Sequence, residues 1–282
     1  MYSAQITRAN PTCIVLLLDQ SGSMADPFSG ETGTRKADYV SDVVNHTLHD
    51  IVIRCTKTEE VRNYYYVSVI GYGRAVGPAF GGALANYKVA PIAEIADYPL
   101  RVESRYKRVP DGSGGWIEMP VRLPIWTQPI ADGGTPMCQA LTQVKLTLQT
   151  WIAEHPRSFP PTVLHLTDGE SSDGDPLQIG KEILSLRSED GPVLLFNCHI
   201  STRKNAKIEY PASVSRLPDG FSRTLFEISS PLPPNFLAAA EQLGVKTEVD
   251  SRGFVFNADP SSVVQFYEIG TSLTGMTPHR WM

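Results

Sequence analysis

Five residues stand out for the chemistry that their types and spacing could support. Asp19, Ser21 and Ser23 place one carboxylate and two hydroxyls at alternate positions of the segment Asp19-Gln20-Ser21-Gly22-Ser23. Thr135 follows Asp132-Gly133-Gly134, and Asp168 stands in Leu166-Thr167-Asp168-Gly169. All five offer oxygen, and oxygen-only donors select a hard cation such as Mg²⁺ or Mn²⁺. No His is placed beside Ser21 or Ser23 by sequence, and neither serine lies in a G-x-S-x-G elbow. Asp173 and Asp175, flanking Gly174, are explained as helix caps.

The surrounding pattern predicts elements that would bring these residues together. Mostly apolar runs at Cys13–Leu18, Val67–Tyr72, Val163–Leu166 and Val193–Ile200 are too short for helices and suit strands buried on both faces. Helical spacing of apolar residues covers Lys36–Arg54 and Thr135–Ile152, which puts Thr135 in the first turn of a helix. Further helices are expected at Pro176–Leu186, after an Asp175 cap, at Phe236–Leu243, before Gly244, and at Ser261–Leu273, after a short strand at Gly253–Asn257. Strands alternating with helices predict a doubly wound, mostly parallel α/β sheet. Such a sheet binds ligands at the C-terminal ends of its strands. Asp19 and Asp168 follow two of the predicted strands there, so three loops could converge on one ion.

Two stretches interrupt the alternation. Residues 77–129 are rich in Gly and Pro and contain strand-like Leu100–Val109 and Trp116–Trp126 around the turn PDGSGG, which reads as a β-hairpin insertion. Residues 202–234 hold several prolines and read as an irregular insertion over one sheet edge. The expectation is a single domain over 1–282 with both insertions inside it. The hairpin carries Arg101, Arg105, Lys107, Arg108 and Arg122 with Tyr98, Tyr106, Trp116 and Trp126, residue types that stack on bases and contact phosphates and that also concentrate where proteins bind one another. In an acidic chain protein binding ranks above nucleic acid, and a plain hairpin with solvated charges stays open.

Composition narrows the function classes. The chain has 282 residues, 41% hydrophobic and 20% charged, ordinary for a folded domain. A net charge of -5 gives no general attraction to nucleic acid or to an anionic membrane. The N-terminal residues lack the pattern of a signal peptide, and no apolar run is long enough to span a bilayer. The four cysteines are scattered without a CxxC pair, which suits a reducing, cytoplasmic setting. His165 and His199 fall in predicted strands and read as hydrogen-bonded core histidines.

The Asp19-Ser21-Ser23 segment, the Thr135 loop and the Thr167-Asp168-Gly169 turn together resemble the metal-ion-dependent adhesion site of von Willebrand factor A domains. All five positions of that motif are filled, in the same order and in the same strand-end contexts. The resemblance covers most of the chain outside the two insertions. It implies a Rossmann-like A-domain fold and a bound Mg²⁺ (or Mn²⁺). Hydroxyls would bind the ion directly, and one or both carboxylates would act through water. An ion held by neutral hydroxyls keeps its positive charge and an open position, which a partner's Asp or Glu can fill. Thr135-Pro136-Met137, the stretch PPTVLHLTDGESSDGDP and the late NADP before a helix resemble bacterial stand-alone cytoplasmic A-domain proteins. That likeness implies a signalling or stress-response role beside serine/threonine kinases or phosphatases. The favoured function is therefore a metal-dependent protein-binding module and not an enzyme. A metal-dependent hydrolase or phosphoryl-transfer enzyme and a structural subunit of a larger assembly are the alternatives.

Overall fold

The computed structural model describes residues 2–28, 33–110, 115–200 and 206–272. In chain order its main elements are β1 (Thr12–Asp19), α1 (Lys36–Cys55), β2 (Tyr65–Tyr72), β3 (Val76–Pro78), β4 (Ala90–Pro91) and α2 (Ile92–Asp97). There follow β5 (Arg101–Pro110), β6 (Trp116–Ile125), α3 (Met137–Glu154), β7 (Thr162–Thr167), α4 (Leu177–Ser185) and β8 (Leu194–Ile200). The last are β9 (Ile208–Glu209), α5 (Gly220–Glu227), α6 (Pro234–Gln242), β10 (Phe254–Ala258) and α7 (Pro260–Gly270).

The apolar runs become strands because both of their faces are covered. The five central strands run parallel in the order β10-β8-β7-β1-β2. The short β9 closes one edge antiparallel to β10, while β3 and β4 pair antiparallel with β2 at the other. Every residue of β1, β7 and β8 is buried. Alternate side chains feed two cores. Ile14, Leu16 and Leu18 pack in one with α1, α6 and α7. Cys13, Val15 and Leu17 pack in the other with α3, α4 and α5. This is the doubly wound, mostly parallel Rossmann-like sheet that the pattern predicts. The chain steps from β1 to β2 on one side and later returns to β7 on the other, so the winding reverses between β1 and β7. Ligands bind doubly wound sheets in the crevice at such a reversal.

Several boundaries depart from expectation. The helix expected from Thr135 starts at Met137, with Pro136 as its cap residue, so Thr135 lies in the approach loop and not in the first helical turn. The last helix ends at Gly270, and Leu273 lies outside the described residues. Residues 202–234 are not irregular throughout. Residues 201–205 lie outside the described set, but Gly220–Glu227 is helix, started by a capping box in which Asp219 accepts from the Ser222 N–H. The hairpin insertion is present as β5 and β6, paired from Arg101–Ile125 out to Pro110–Trp116, with its turn (111–114) outside the described residues. Its root is fixed to α1. The Asn45 side chain accepts from the Trp126 and Thr127 amides at 2.8 and 3.0 Å and donates to the Thr127 carbonyl.

A buried polar chain crosses the middle of the sheet. The Tyr72 hydroxyl lies 2.7 Å from Nε2 of His165, and His165 Nδ1 lies 2.8 Å from Oδ1 of Asn197. Asn197 in turn donates to Ser229. With Asn197 accepting, the ring proton belongs on Nδ1 and Tyr72 donates to Nε2. Burial pushes the His165 pKa down to about 4. A histidine with a depressed folded pKa stabilises the fold fully above about pH 6.5, its unfolded value. That contribution is lost as the pH falls toward 4. Urea denaturation of wild type and His165→Gln at pH 7.5 and 4.5 should therefore show wild type losing about 2 kcal/mol more than the variant. Equal losses would contradict the assignment.

Candidate metal centre

The centre is assembled at the winding reversal, where β1 and β7 end side by side. Asp19 is the last residue of β1 and is 2% exposed. Its Oδ1 accepts from the Ser21 amide at 2.9 Å. Its Oδ2 lies 2.9 Å from the Thr167 hydroxyl and accepts from the Asp168 amide at 3.4 Å. The Ser21 and Ser23 hydroxyl oxygens are 3.1 Å apart, and Ser23 donates to Asp168 Oδ1 at 2.7 Å. Four of the five expected ligands thus form one continuous hydrogen-bonded group.

Thr135 reaches the group through the main chain. The Gly22 amide donates to the Gly133 carbonyl at 2.9 Å, and the Asp132 amide donates to the Gln20 carbonyl at 2.7 Å. Ser172 clamps Thr135 itself: its hydroxyl accepts from the Thr135 amide and its amide donates to the Thr135 carbonyl. Among the described residues the Thr135 hydroxyl makes no hydrogen bond to the other four. Two glycines permit the close approach. A Cβ at Gly73 would lie 2.5 Å from the Gln20 carbonyl oxygen, and one at Gly133 would lie 2.5 Å from the Arg74 amide nitrogen, at a φ of +82°. Asp173 and Asp175 are caps. Asp173 accepts from the Cys138 and Gln139 amides at the start of α3, and Asp175 accepts from Leu177.

Sequence reasoning missed Lys36. This residue opens α1 and is 3% exposed. Its Nζ lies 2.6 Å from Asp168 Oδ2, against a carboxylate whose side chain is fully buried. A lysine in the first turn of a helix opposes the helix dipole. That mismatch was the signal in the sequence, although its partner lies 132 residues away.

The donors fit a hard cation. Burial and the neighbouring Asp168 push the Asp19 carboxyl up to about 6, against hydrogen bonds from Ser21 and Thr167 that lower it. Two buried carboxylates in hydrogen-bonded reach of one another are the kind of pair a divalent ion relieves. Among the described residues no three His, Cys, Asp or Glu side chains are grouped to hold a metal. Any ion here must therefore complete its shell with hydroxyls, water or a group from outside.

No protein-family model matches the chain, and no curated protein matches it. Solved structures do align with it. One is the manganese-loaded TRAP protein of Plasmodium vivax, at 14% identity, covering 92% of this chain and 72% of that one, with a TM-score of 0.39. The PilB minor pilin from Streptococcus sanguinis aligns at 11% identity over 92% of this chain and 60% of that one, with a TM-score of 0.42. The vWF domain of the type V pili tip protein Mfa5 from Porphyromonas gingivalis aligns at 12% identity over 57% of this chain and 39% of that one, with a TM-score of 0.30. Strand order and the hydrogen-bonded centre define the class of this chain: a doubly wound α/β domain with an oxygen-donor centre at its winding reversal.

Lys36 already supplies one positive charge to Asp168, so it opposes a second cation. Lys36→Met should bind Mn²⁺ at least about tenfold more tightly, about 1.4 kcal/mol. Without metal the same variant should lose about 3 kcal/mol of stability, because Asp168 is left buried and unpaired. Calorimetric titration with Mn²⁺ and thermal melts in EDTA read the two effects; weaker or unchanged Mn²⁺ binding would contradict the first.

Proposed function

We propose that this chain is a metal-dependent protein-binding module. The observation that carries this reading is the centre itself: two carboxylates at the C-terminal ends of β1 and β7, Asp19 bonded to the Ser21 amide and Asp168 to the Ser23 hydroxyl, with the two serine hydroxyls meeting between them. Asp19, Ser21, Ser23, Thr135 and Asp168 would hold Mg²⁺ or Mn²⁺ there. When bound, the ion supplies an oxygen-seeking positive point, which suits an Asp or Glu side chain of a partner protein. The remaining work falls to the chain. Thr167 and the Ser21 amide orient Asp19, Ser23 orients Asp168, Lys36 balances the Asp168 charge when no ion is bound, and Ser172 sets the height of the Thr135 loop.

A binding role is favoured over catalysis by the neighbours of the two serines. The hydroxyls meet each other and a carboxylate, and the Ser23 proton goes to Asp168. His165, the histidine behind the centre, has both ring nitrogens engaged, with Tyr72 and Asn197. The sequence resemblance to stand-alone bacterial A-domain proteins supports a signalling or stress-response partner, such as a serine/threonine kinase or phosphatase. We place the protein in the cytoplasm. Its four free cysteines, three of them buried, support a reducing compartment, and no helix among the described residues is long and apolar enough to cross a membrane.

The test is partner binding measured by calorimetry, with the partner first purified from the native host in Mg²⁺. Chelation, Asp19→Ala and Asp168→Ala should each weaken it roughly thirtyfold, about 2 kcal/mol, as the loss of a hot-spot anchor does. Equal affinity in all conditions would make the centre a structural staple. Turnover of a phosphopeptide or nucleotide, abolished by Asp19→Ala, would make the protein an enzyme.

A further inference from the structure

The hairpin β5–β6 forms a separate two-stranded sheet, exposed over most of β6, and has two unlike edges. Opposed residues of an antiparallel pair alternate between exchanging their hydrogen bonds and turning those groups outward. Pro120 faces Tyr106 and Pro124 faces Val102. A proline has no N–H to exchange, so these two pairs, with Ser104–Arg122 between them, turn their main-chain groups outward. The outer edge of β6 therefore lacks a donor at Pro120 and at Pro124, which protects it against strand addition. The outer edge of β5 keeps donors at Val102, Ser104, Tyr106 and Arg108. Among the described residues no strand but β6 pairs with β5.

The ribbon is also short of packing. Leu123 and Ile125 are buried near its root, and Arg105 is paired with Asp42 of α1 and with Glu103. Farther out, Tyr106 is 73% exposed and Trp116 68%, and Ile117, Met119 and Val121 are exposed as well. A two-stranded ribbon with uncovered apolar side chains is marginal in water, and a third strand would complete it.

We propose that the outer edge of β5 is a strand-addition site for an extended, acidic segment of a partner protein. Charge selects the occupant. In the sequence β5 carries Arg101, Arg105, Lys107 and Arg108 against Glu103, within a chain of net charge -5, and the pairing of Arg101 with Glu103 and of Arg105 with Glu103 and Asp42 still leaves the strand with an excess of basic residues. A second copy pairing edge to edge would set one basic strand beside another, and like charges directly opposed disfavour pairing. An acidic strand gains main-chain bonds from the edge and charge complementarity from its side chains. Val102 and Tyr106, on one face of β5, would meet its alternate apolar residues. This site does not use the metal centre.

The probe is a soluble ten-residue peptide alternating valine and glutamate, with a valine–lysine peptide as its control, and all measurements are made in EDTA. Working without metal separates a failure of this edge from a failure of the metal centre. Trp116 fluorescence reads binding, and amide hydrogen exchange reads where the peptide sits. We expect the glutamate peptide to protect the amides of Val102, Ser104 and Tyr106, and the lysine peptide to leave them unprotected. Ser104→Pro should weaken binding at least tenfold. Arg122→Pro, the opposed residue on the blunt edge, should stay within twofold of wild type. No protection at millimolar glutamate peptide, or equal loss in the two variants, overturns the proposal. So does concentration-dependent self-association that protects the same amides without peptide. The exchange measurement on wild type stands even if a proline variant fails to fold.

Discussion

Asp19 and Asp168 put two buried carboxylate side chains side by side at the end of the sheet, and much of the local structure serves to make that arrangement tolerable. A buried carboxylate without partners costs several kcal/mol. Here each oxygen is met. Asp19 takes the Ser21 amide on one oxygen and Thr167 with the Asp168 amide on the other, and Asp168 takes Ser23 and the Lys36 ammonium. Even so, Asp19 is held at a pKa near 6 by burial and by Asp168. The protein sustains an electrostatic tension that a folding optimum would remove, and such tension collects where charge is used.

The rest of the domain can be understood as the frame for that pair. Parallel strands with both faces covered bring β1 and β7 to the same edge, and the reversal of winding between them leaves the crevice open. Gly73 and Gly133 let the loops after β1, after β2 and before α3 touch through their main chains. The chain that closes the centre at Asp132 also continues from the hairpin, whose root is fixed to α1 by Asn45 and to α2 by the Trp126 indole, which donates to the Ile95 carbonyl. Helix α1 thus contributes Lys36 to the centre from its first residue and Asn45 to the hairpin root from its middle.

What could be read from the sequence follows the range of the forces involved. Buried parallel strands announce themselves as short apolar runs, so β1, β2, β7 and β8 were legible to within about two residues. Asp19, Ser21 and Ser23 stand out because their spacing is local; Thr135 and Asp168 are added through the motif resemblance, and the structure joins Asp19, Ser21, Ser23 and Asp168 by hydrogen bonds. Where Thr135 sits depends on Pro136, the cap residue that delays the start of α3 to Met137. Helix α5 was hidden because the prolines of 202–234 outweigh a capping box spanning only Asp219 to Ser222. Lys36 left only a faint trace, a lysine in the first turn of a helix. Its charge is balanced by Asp168, and only the fold makes those two residues neighbours.

The most direct test of the account is a Mn²⁺ titration of the metal-free protein at pH 7.5, followed by the electron paramagnetic resonance of free Mn²⁺. One ion should bind per chain in wild type. Asp19→Asn, and separately the pair Ser21→Ala with Ser23→Ala, should each weaken that binding by at least about tenfold, the loss of one charge-assisted or two neutral oxygen contacts at about 1.4 kcal/mol or more. No binding below millimolar Mn²⁺, or binding indifferent to both sets of substitutions, would contradict the assignment of these residues as a metal centre.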